Sequence, residues 1–134
     1  MDTALLVIAV VFAVLAALLH IAIFGMESVL WARPTVWRRF GVKSQADADT
    51  LQPMAYNQGF YNLFLALGTI AGLLLLLAPP VSNVGVGLLV LALASMLLAA
   101  IVLVTSNPKM ARAALTQGIT PLIALVFLAL RFLV

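Results

Sequence analysis

The sequence has no cysteine and a single histidine, His20, in 134 residues. The lack of cysteine excludes a disulfide framework, a thiol nucleophile and a thiolate metal site. One histidine also excludes a metal centre built from several imidazoles, so we expect no metal site. A Gly-rich phosphate loop, a Gly-x-Ser-x-Gly elbow and a His-Glu-x-x-His motif are all missing, so none of those mechanisms is supported and no cofactor is identified.

Charge is also scarce, because only 8% of the chain is Asp, Glu, Lys or Arg, whereas 66% is hydrophobic. In soluble domains about a quarter of the residues are charged. A transmembrane helix needs about 20 apolar residues, so four of them would use about 80 residues and leave short connections. We therefore predict an all-α, integral membrane four-helix bundle that crosses a lipid bilayer as one domain, residues 1–134.

The hydrophobic runs predict helices at about residues 4–31, 54–78, 84–104 and 113–134. Residues 32–53 between the first two are polar, and Pro34 breaks the helix there, so we expect a loop or a short interfacial helix. Trp31, Trp37 and Phe40 are expected at the level of the lipid headgroups.

Small residues form two ridges on the predicted helices. Gly68 and Gly72 lie one turn apart on the second helix, and Ala92, Ser95 and Ala99 follow a similar spacing on the third. Such ridges let helix backbones approach closely in membranes. They predict packing surfaces, and they also offer surfaces for a homo-oligomer.

Basic residues are distributed unevenly between the predicted loops. Six of them flank one side of the bundle, against Arg131 alone on the other: Arg33, Arg38, Arg39 and Lys43 in the first loop, and Lys109 and Arg112 in the third. The net charge of +3 therefore indicates an orientation signal and no nucleic-acid partner. The positive-inside rule places these loops in the cytoplasm, and both termini outside the inner (plasma) membrane of a multi-pass protein.

Polar side chains within the helices concentrate at the predicted cytoplasmic ends, whereas the outer halves are almost entirely Leu, Val, Ile and Ala. A conducting pore needs polar groups along its whole length. We therefore expect a pocket that opens toward the cytoplasm above an apolar floor. Its candidate ligand-binding residues are His20, Glu27, Trp31, Asn57, Gln58, Tyr61, Asn62, Asn107 and Gln117.

Glu27 is the most informative of these residues, because an ionisable group in a spanning helix is costly and usually faces a partner, a cavity or water. Two interpretations remain open. Glu27 either faces the bundle and contacts the second helix near Gln58 or Asn62, or it lies at the membrane boundary, where it reaches water or pairs with Arg33 or Arg38.

His20 and Glu27 are the two candidates for catalysis, since histidine titrates near neutrality and a carboxylate can accept or donate a proton. They share one face of the first helix but lie about 10 Å apart along its axis, so they would act at two ends of a bound molecule. Alternatively, His20 bonds a neighbouring helix for packing. The cluster Asn57, Gln58, Tyr61 and Asn62 likewise predicts either ligand orientation or interhelical hydrogen bonds.

Three segments carry a resemblance to a known family: HIAIFGMESVLW (20–31), NQGFYNLFLALG (57–68) and QGITP (117–121). They resemble small bacterial membrane proteins catalogued as domain of unknown function family 1304. The resemblance implies a four-helix membrane protein whose activity is not established. By motif match, the resemblance implies that the characteristic positions of the family are His20, Glu27, Trp31, Asn57, Gln58, Tyr61, Asn62, Gln117 and Pro121.

Two weaker likenesses imply rival functions. In size and helix count the chain is similar to the membrane-associated eicosanoid and glutathione metabolism family, which implies a trimer that handles glutathione and a lipophilic substrate. The second helix here lacks the Arg and Glu expected around its Asn. Small multidrug exporters also have one acidic residue in the first of four helices, but their carboxylate lies deeper than Glu27.

Three functions follow as hypotheses. The first is binding or transport of a small amphipathic molecule in the cytoplasm-facing pocket, with Glu27 as charge partner or proton carrier. The second is a membrane-embedded enzyme, either an acid/base isomerase or a glutathione transferase, acting on a lipophilic substrate. The third is a structural or assembly bundle without a ligand.

Overall fold

The computed structural model describes residues 3–133, which form four long helices joined by short turns. Helix α1 runs over Thr3–Phe24 and continues as a π-helical turn, Gly25–Val29. The short helix α2, Pro34–Trp37, precedes α3 (Gln45–Leu76), α4 (Ser82–Ser106) and α5 (Ala111–Leu133). Three-residue 3₁₀ turns lie at Arg38–Phe40, Pro79–Val81 and Pro108–Met110.

Four of these helical segments are long and apolar enough to cross a membrane: Thr3–Val29, Gln45–Leu76, Pro79–Ser106 and Pro108–Leu133. This confirms the predicted all-α fold with four spanning helices and marks the chain as a multi-pass membrane protein. Helix α3 has 32 residues, which makes it about 48 Å long. Because the hydrocarbon core is about 30 Å thick, its polar first turns extend beyond that core.

The long helices form an up-down-up-down bundle in which α1 packs against α3 and α5, and α4 packs against the same two helices. One half of the bundle is filled by buried apolar side chains: Ala9, Ala13 and Ala16 of α1, Leu89, Leu93 and Met96 of α4, and Ala124 and Leu128 of α5. The alanines let α1 approach its neighbours closely, and this half of the bundle is tightly packed.

Helices α3 and α4 approach most closely near the turn that joins them. A Cβ on Gly72 would lie 2.8 Å from Cγ of Leu89, and one on Gly85 would lie 2.8 Å from the carbonyl oxygen of Gly72. Only glycine fits these two positions without a shift of the neighbouring helix. Gly68 faces Ala92 in the same seam. Of the predicted small-residue ridges, Gly68, Gly72 and Ala92 therefore pack α3 on α4 within the chain.

Helix α3 begins at Gln45, whereas the polar sequence predicts a start near residue 54. Ser44 caps the helix, because its Oγ accepts a hydrogen bond from the backbone N–H of Asp47 at 3.1 Å. The following residues include good helix formers such as Ala46, Ala48 and Leu51. Pro53 is accommodated inside the helix. Polarity in this stretch therefore marks a helix outside the hydrocarbon core and not an irregular loop.

Residues 30–44, the first loop, fold into a small hydrophobic cluster against the start of α3. Trp31 and Trp37 are buried there with Ala48 and Ala55. Nε1 of Trp31 donates a hydrogen bond to the carbonyl oxygen of Ala48 at 2.9 Å. The two tryptophans are therefore enclosed by protein, and their position at the level of the lipid headgroups stays a prediction.

Candidate functional site

A cavity of about 1080 Å³ lies at the end of the bundle where the first and third loops meet. We call it the polar cavity. All four long helices and both loops contribute to its wall. It includes seven of the nine candidate residues: His20, Glu27, Gln58, Tyr61, Asn62, Asn107 and Gln117.

The other two candidates, Trp31 and Asn57, are not among the lining residues. Trp31 is held in the cluster of the first loop by its bond to Ala48. Asn57 is exposed on α3. It lies one turn before Tyr61 in sequence, but it does not join the wall of the cavity.

Glu27 lies in the π-helical turn at the end of α1 and is only 8% exposed. Its Oε2 accepts a hydrogen bond from Nδ2 of Asn62 on α3 at 2.9 Å. Within residues 3–133, Glu27 forms no ion pair with Arg33 or Arg38. The expected contact with the second spanning helix is therefore present, and the alternative pairing with arginine is not.

Asn62 is fixed in orientation by two acceptors. Besides Glu27, its Nδ2 donates to the carbonyl oxygen of Gln58 at 3.1 Å. Both amide hydrogens are thus used, and the amide cannot flip without losing both bonds. Oε1 of Glu27 has no such partner among the described residues, so this oxygen remains available as an acceptor on a residue that lines the polar cavity.

Close packing of α1 on α3 positions the glutamate. Oγ of Ser28 donates to the carbonyl oxygen of Tyr56 at 2.8 Å. A Cβ on Gly59 would lie 3.1 Å from Cβ of Glu27 and would overlap Oγ of Ser28. The missing side chain at Gly59 therefore lets the π-helical turn rest directly on α3. Single π-turns within α-helices occur frequently at functional sites.

His20 is also buried. It lies on the same helix face as Glu27, about two turns earlier in the sequence. Its Nδ1 lies 2.9 Å from the carbonyl oxygen of Ala16. Because a carbonyl only accepts, Nδ1 must carry the proton, and in the neutral ring Nε2 is then an acceptor. No described residue bonds to Nε2, and His20 lines the polar cavity. The ring thus offers one lone pair to a bound molecule.

Three basic residues also line the polar cavity, although their sequence pattern predicts only a role in membrane orientation. Arg39 comes from the first loop, Lys109 from the third, and Arg112 from the start of α5. We call them the basic rim. None of the three forms an ion pair in the described part of the chain. Their spacing in sequence gives no sign that they meet, because Arg39 is far from the other two along the chain.

The QGITP segment contributes to the site through packing. A Cβ on Gly118 would lie 2.8 Å from Cβ of Ala100, so α5 approaches α4 closely at this point. Pro121 is buried and cannot donate the helical hydrogen bond to the carbonyl of Gln117. Gln117 itself lines the polar cavity.

The described residues contain no group of three His, Cys, Asp or Glu side chains that could hold a metal ion. The groups available for chemistry are therefore a carboxylate, an imidazole, amides, hydroxyls and the three cations. They suit the binding of a polar head by hydrogen bonds and charge, or proton transfer between Glu27, His20 and a bound molecule.

Comparisons with curated proteins and with solved structures find no match to this chain. They accordingly give no support to the likenesses to the eicosanoid and glutathione family or to small multidrug exporters. A sequence model of one family matches residues 14–129, which include every lining residue of the polar cavity. That family is described as "Protein of unknown function (DUF1304)", and this chain belongs to it.

Proposed function

We propose that the protein binds or transports a small amphipathic molecule in the polar cavity. The observation that carries this proposal is the buried Glu27 carboxylate, held by Asn62 at the wall of a cavity of about 1080 Å³. Apolar side chains such as Ile23, Leu65 and Val102 share that wall. Polar and apolar linings in one cavity suit a molecule with both a polar and an apolar part.

Each polar residue has a role in this proposal. Glu27 is the charge partner or hydrogen-bond acceptor of the bound head through its unpartnered oxygen. Asn62 holds the glutamate in place, since both of its amide hydrogens are already used. Gln58 and Tyr61 on α3, with Gln117 on α5, orient the head by hydrogen bonds.

The proposal places the protein in the inner (plasma) membrane with the polar cavity toward the cytoplasm. The first and third loops carry six of the seven basic residues, and both loops flank the cavity mouth. The positive-inside rule then puts the mouth in the cytoplasm and both termini outside. The apolar packing of the other half supports access from one side.

The test is to purify the protein in mild detergent and to identify the bound small molecules by mass spectrometry. We expect one amphipathic class to be retained in stoichiometric amount by the native protein and by the control Asn57→Leu, because Asn57 lies outside the cavity. Asn62→Leu and Glu27→Gln should reduce retention about tenfold, which corresponds to roughly 1.4 kcal/mol of binding free energy. Equal retention by all four folded proteins would contradict the proposal.

A second candidate function is an enzyme that acts on a lipophilic substrate with His20 and Glu27 as acid and base. The observation that favours it is that both side chains line the same cavity and that Nε2 of His20 has no protein partner. For an enzyme, His20→Gln should abolish conversion of the retained molecule while leaving its binding within a few fold. A bundle that retains no molecule would favour the structural role instead.

Homo-oligomer formation stays a prediction. Gly68, Gly72 and Ala92, which suggested an association surface, pack α3 on α4 inside the chain. They therefore give no independent support to association between chains.

A further inference from the structure

The close helix contacts determine where the bundle opens. At the cavity end, α1 rests on α3 at Gly59, and α5 rests on α4 at Gly118. The tight contact of α3 with α4, at Gly72 and Gly85, lies toward the opposite end. The bundle thus divides at the cavity end into an α1–α3 pair and an α4–α5 pair, and the polar cavity lies between the pairs.

The seam between α3 and α4 exposes two lining residues of the polar cavity. Tyr61 and Val102 are 56% and 63% exposed there. On the α1–α5 side, Ile23 is buried and Ala113 is half-buried, whereas the lining residue Thr116 is exposed. The polar cavity therefore reaches the lateral surface of the bundle between α3 and α4.

This lateral opening lies near the edge of the hydrocarbon part of the membrane. Val102 belongs to the spanning segment that ends at Ser106, so it lies about 6 Å below the end of that segment. The segment has 28 residues and is about 42 Å long, so a hydrocarbon core of about 30 Å centred on it ends close to Val102. An acyl chain can therefore enter the core beside the ring of Tyr61 and the side chain of Val102.

The basic rim lies at the other end of the same cavity, at the level where the loops leave the membrane. Arginine and lysine bind phosphate and carboxylate oxygens through charge-assisted hydrogen bonds. The lining contains three cations and one carboxylate, Glu27, so its net charge is 3 − 1 = +2 with His20 neutral. Glu27 lies on the α1–α3 side, whereas Lys109 and Arg112 lie beside α4 and α5.

Resting on the proposed function, we infer that the occupant is an anionic lipid of the cytoplasmic leaflet. Its phosphate binds Arg39, Lys109 and Arg112, and its acyl chain leaves the polar cavity between Tyr61 and Val102. The volume of about 1080 Å³ is slightly above the usual range of ligand sites, about 300 to 1,000 Å³. It suits a headgroup together with part of a chain.

The experiment uses native mass spectrometry of the full-length protein in detergent with added lipids. The probes are phosphatidic acid and phosphatidylcholine with the same acyl chains, and glycerol phosphate as a headgroup without chains. We expect at least tenfold preference for phosphatidic acid over phosphatidylcholine, and no competition by glycerol phosphate. Arg112→Gln and Lys109→Gln should each reduce the preference several-fold, whereas Arg33→Gln, a loop arginine outside the cavity, should not.

The lateral path has its own pair of variants. Val102→Trp fills the opening and should reduce binding of phosphatidic acid about tenfold. Leu91→Trp is the control, because Leu91 is also on α4, is 67% exposed and lies outside the cavity. Thermal unfolding shows whether each variant folds. If Val102→Trp does not, Tyr61→Trp on the facing helix tests the same path.

The outcomes separate this inference from the proposed function. Competition by glycerol phosphate as strong as that of phosphatidic acid would indicate a water-soluble ligand and overturn the inference. If phosphatidic acid and phosphatidylcholine bind equally well and Asn62→Leu weakens both, the inference is also overturned. The proposed function then stays in place. If neither lipid binds and nothing is retained on purification, the proposed function fails as well.

Discussion

Glu27 and Asn62 form the pair on which the candidate site depends. A buried carboxylate without donors is costly, and removing one partner of a buried hydrogen bond costs about 1 to 3 kcal/mol. Asn62 supplies that donor from the neighbouring helix at 2.9 Å. The same bond therefore joins α1 to α3 and fixes the carboxylate at the cavity wall.

We predict that Asn62→Leu lowers the free energy of unfolding by about 1 to 3 kcal/mol. The control Asn57→Leu, at an exposed position of the same helix, should stay within about 0.5 kcal/mol of the native protein. Both are measured by unfolding in detergent. A double-mutant cycle with Glu27→Leu should give a coupling of about 0.6 to 1.7 kcal/mol. A coupling of zero would show that the bond does not stabilise the bundle.

Gly59 gives a second prediction at this scale. Gly59→Ala should destabilise the protein by about 1 to 3 kcal/mol, because the added Cβ is forced against Ser28 and Glu27. The matched control is Gly87→Ala on α4, where no atom lies within 4 Å of an added Cβ. That substitution should stabilise its helix by about 0.5 to 1 kcal/mol. Similar thermal unfolding of both variants would argue against close packing at Gly59.

Polarity against an apolar background was sufficient to select seven of the residues that line the polar cavity. Glu27 and Asn62 stand out because each interrupts a spanning segment. The basic rim did not stand out, since Arg39, Lys109 and Arg112 are equally well explained by the positive-inside rule. That all three line one cavity depends on how two separate loops fold, which neither periodicity nor spacing encodes.

At the scale of elements, local sequence did not predict the π-helical turn or the position at which α3 begins. A π-turn does not follow from residue propensity, and here it is held by Ser28 and by the space at Gly59. The segment from Gln45 to Pro53 is polar enough to resemble a loop. It is helical because Ser44 caps it and because its apolar face, including Ala48, packs against Trp31.

The bond from Trp31 to Ala48 predicts a local effect. Trp31→Phe keeps an aromatic ring in the cluster but removes the Nε1 donor, so the carbonyl of Ala48 loses its partner. We expect faster hydrogen exchange at residues 45–53, by about fivefold for a loss of about 1 kcal/mol. Exchange in α4 should not change. An effect spread evenly over all four spanning helices would indicate that the cluster supports the whole bundle.

At the scale of the whole molecule, composition alone predicts the four-helix membrane fold, because 66% hydrophobic residues leave few other architectures. Composition does not predict which helices are neighbours in the bundle, or that the bundle divides into two pairs at the cavity end. Both features depend on which glycines meet a neighbouring helix. Gly87 faces no atom within 4 Å, whereas Gly72 is in tight contact, although both are glycines in apolar helices.

The absence of cysteine makes the orientation and the cavity testable together by single substituted cysteines. We expect Lys43→Cys in the first loop to react with a membrane-impermeant thiol reagent only from the cytoplasmic side. Asn83→Cys, beside the turn between α3 and α4, should react only from outside. Gln58→Cys and Gln117→Cys, in the polar cavity, should also react only from the cytoplasmic side.

The floor of the polar cavity is tested in the same way at Met96, which is fully buried in the apolar half. Met96→Cys should react from neither side, since no polar group replaces water around a solute in that region. Labelling of Met96→Cys from outside would mean that an aqueous path crosses the bundle. The protein would then be a channel or an alternating-access transporter, and the tight contacts of α3 with α4 at Gly72 would have to open during each cycle.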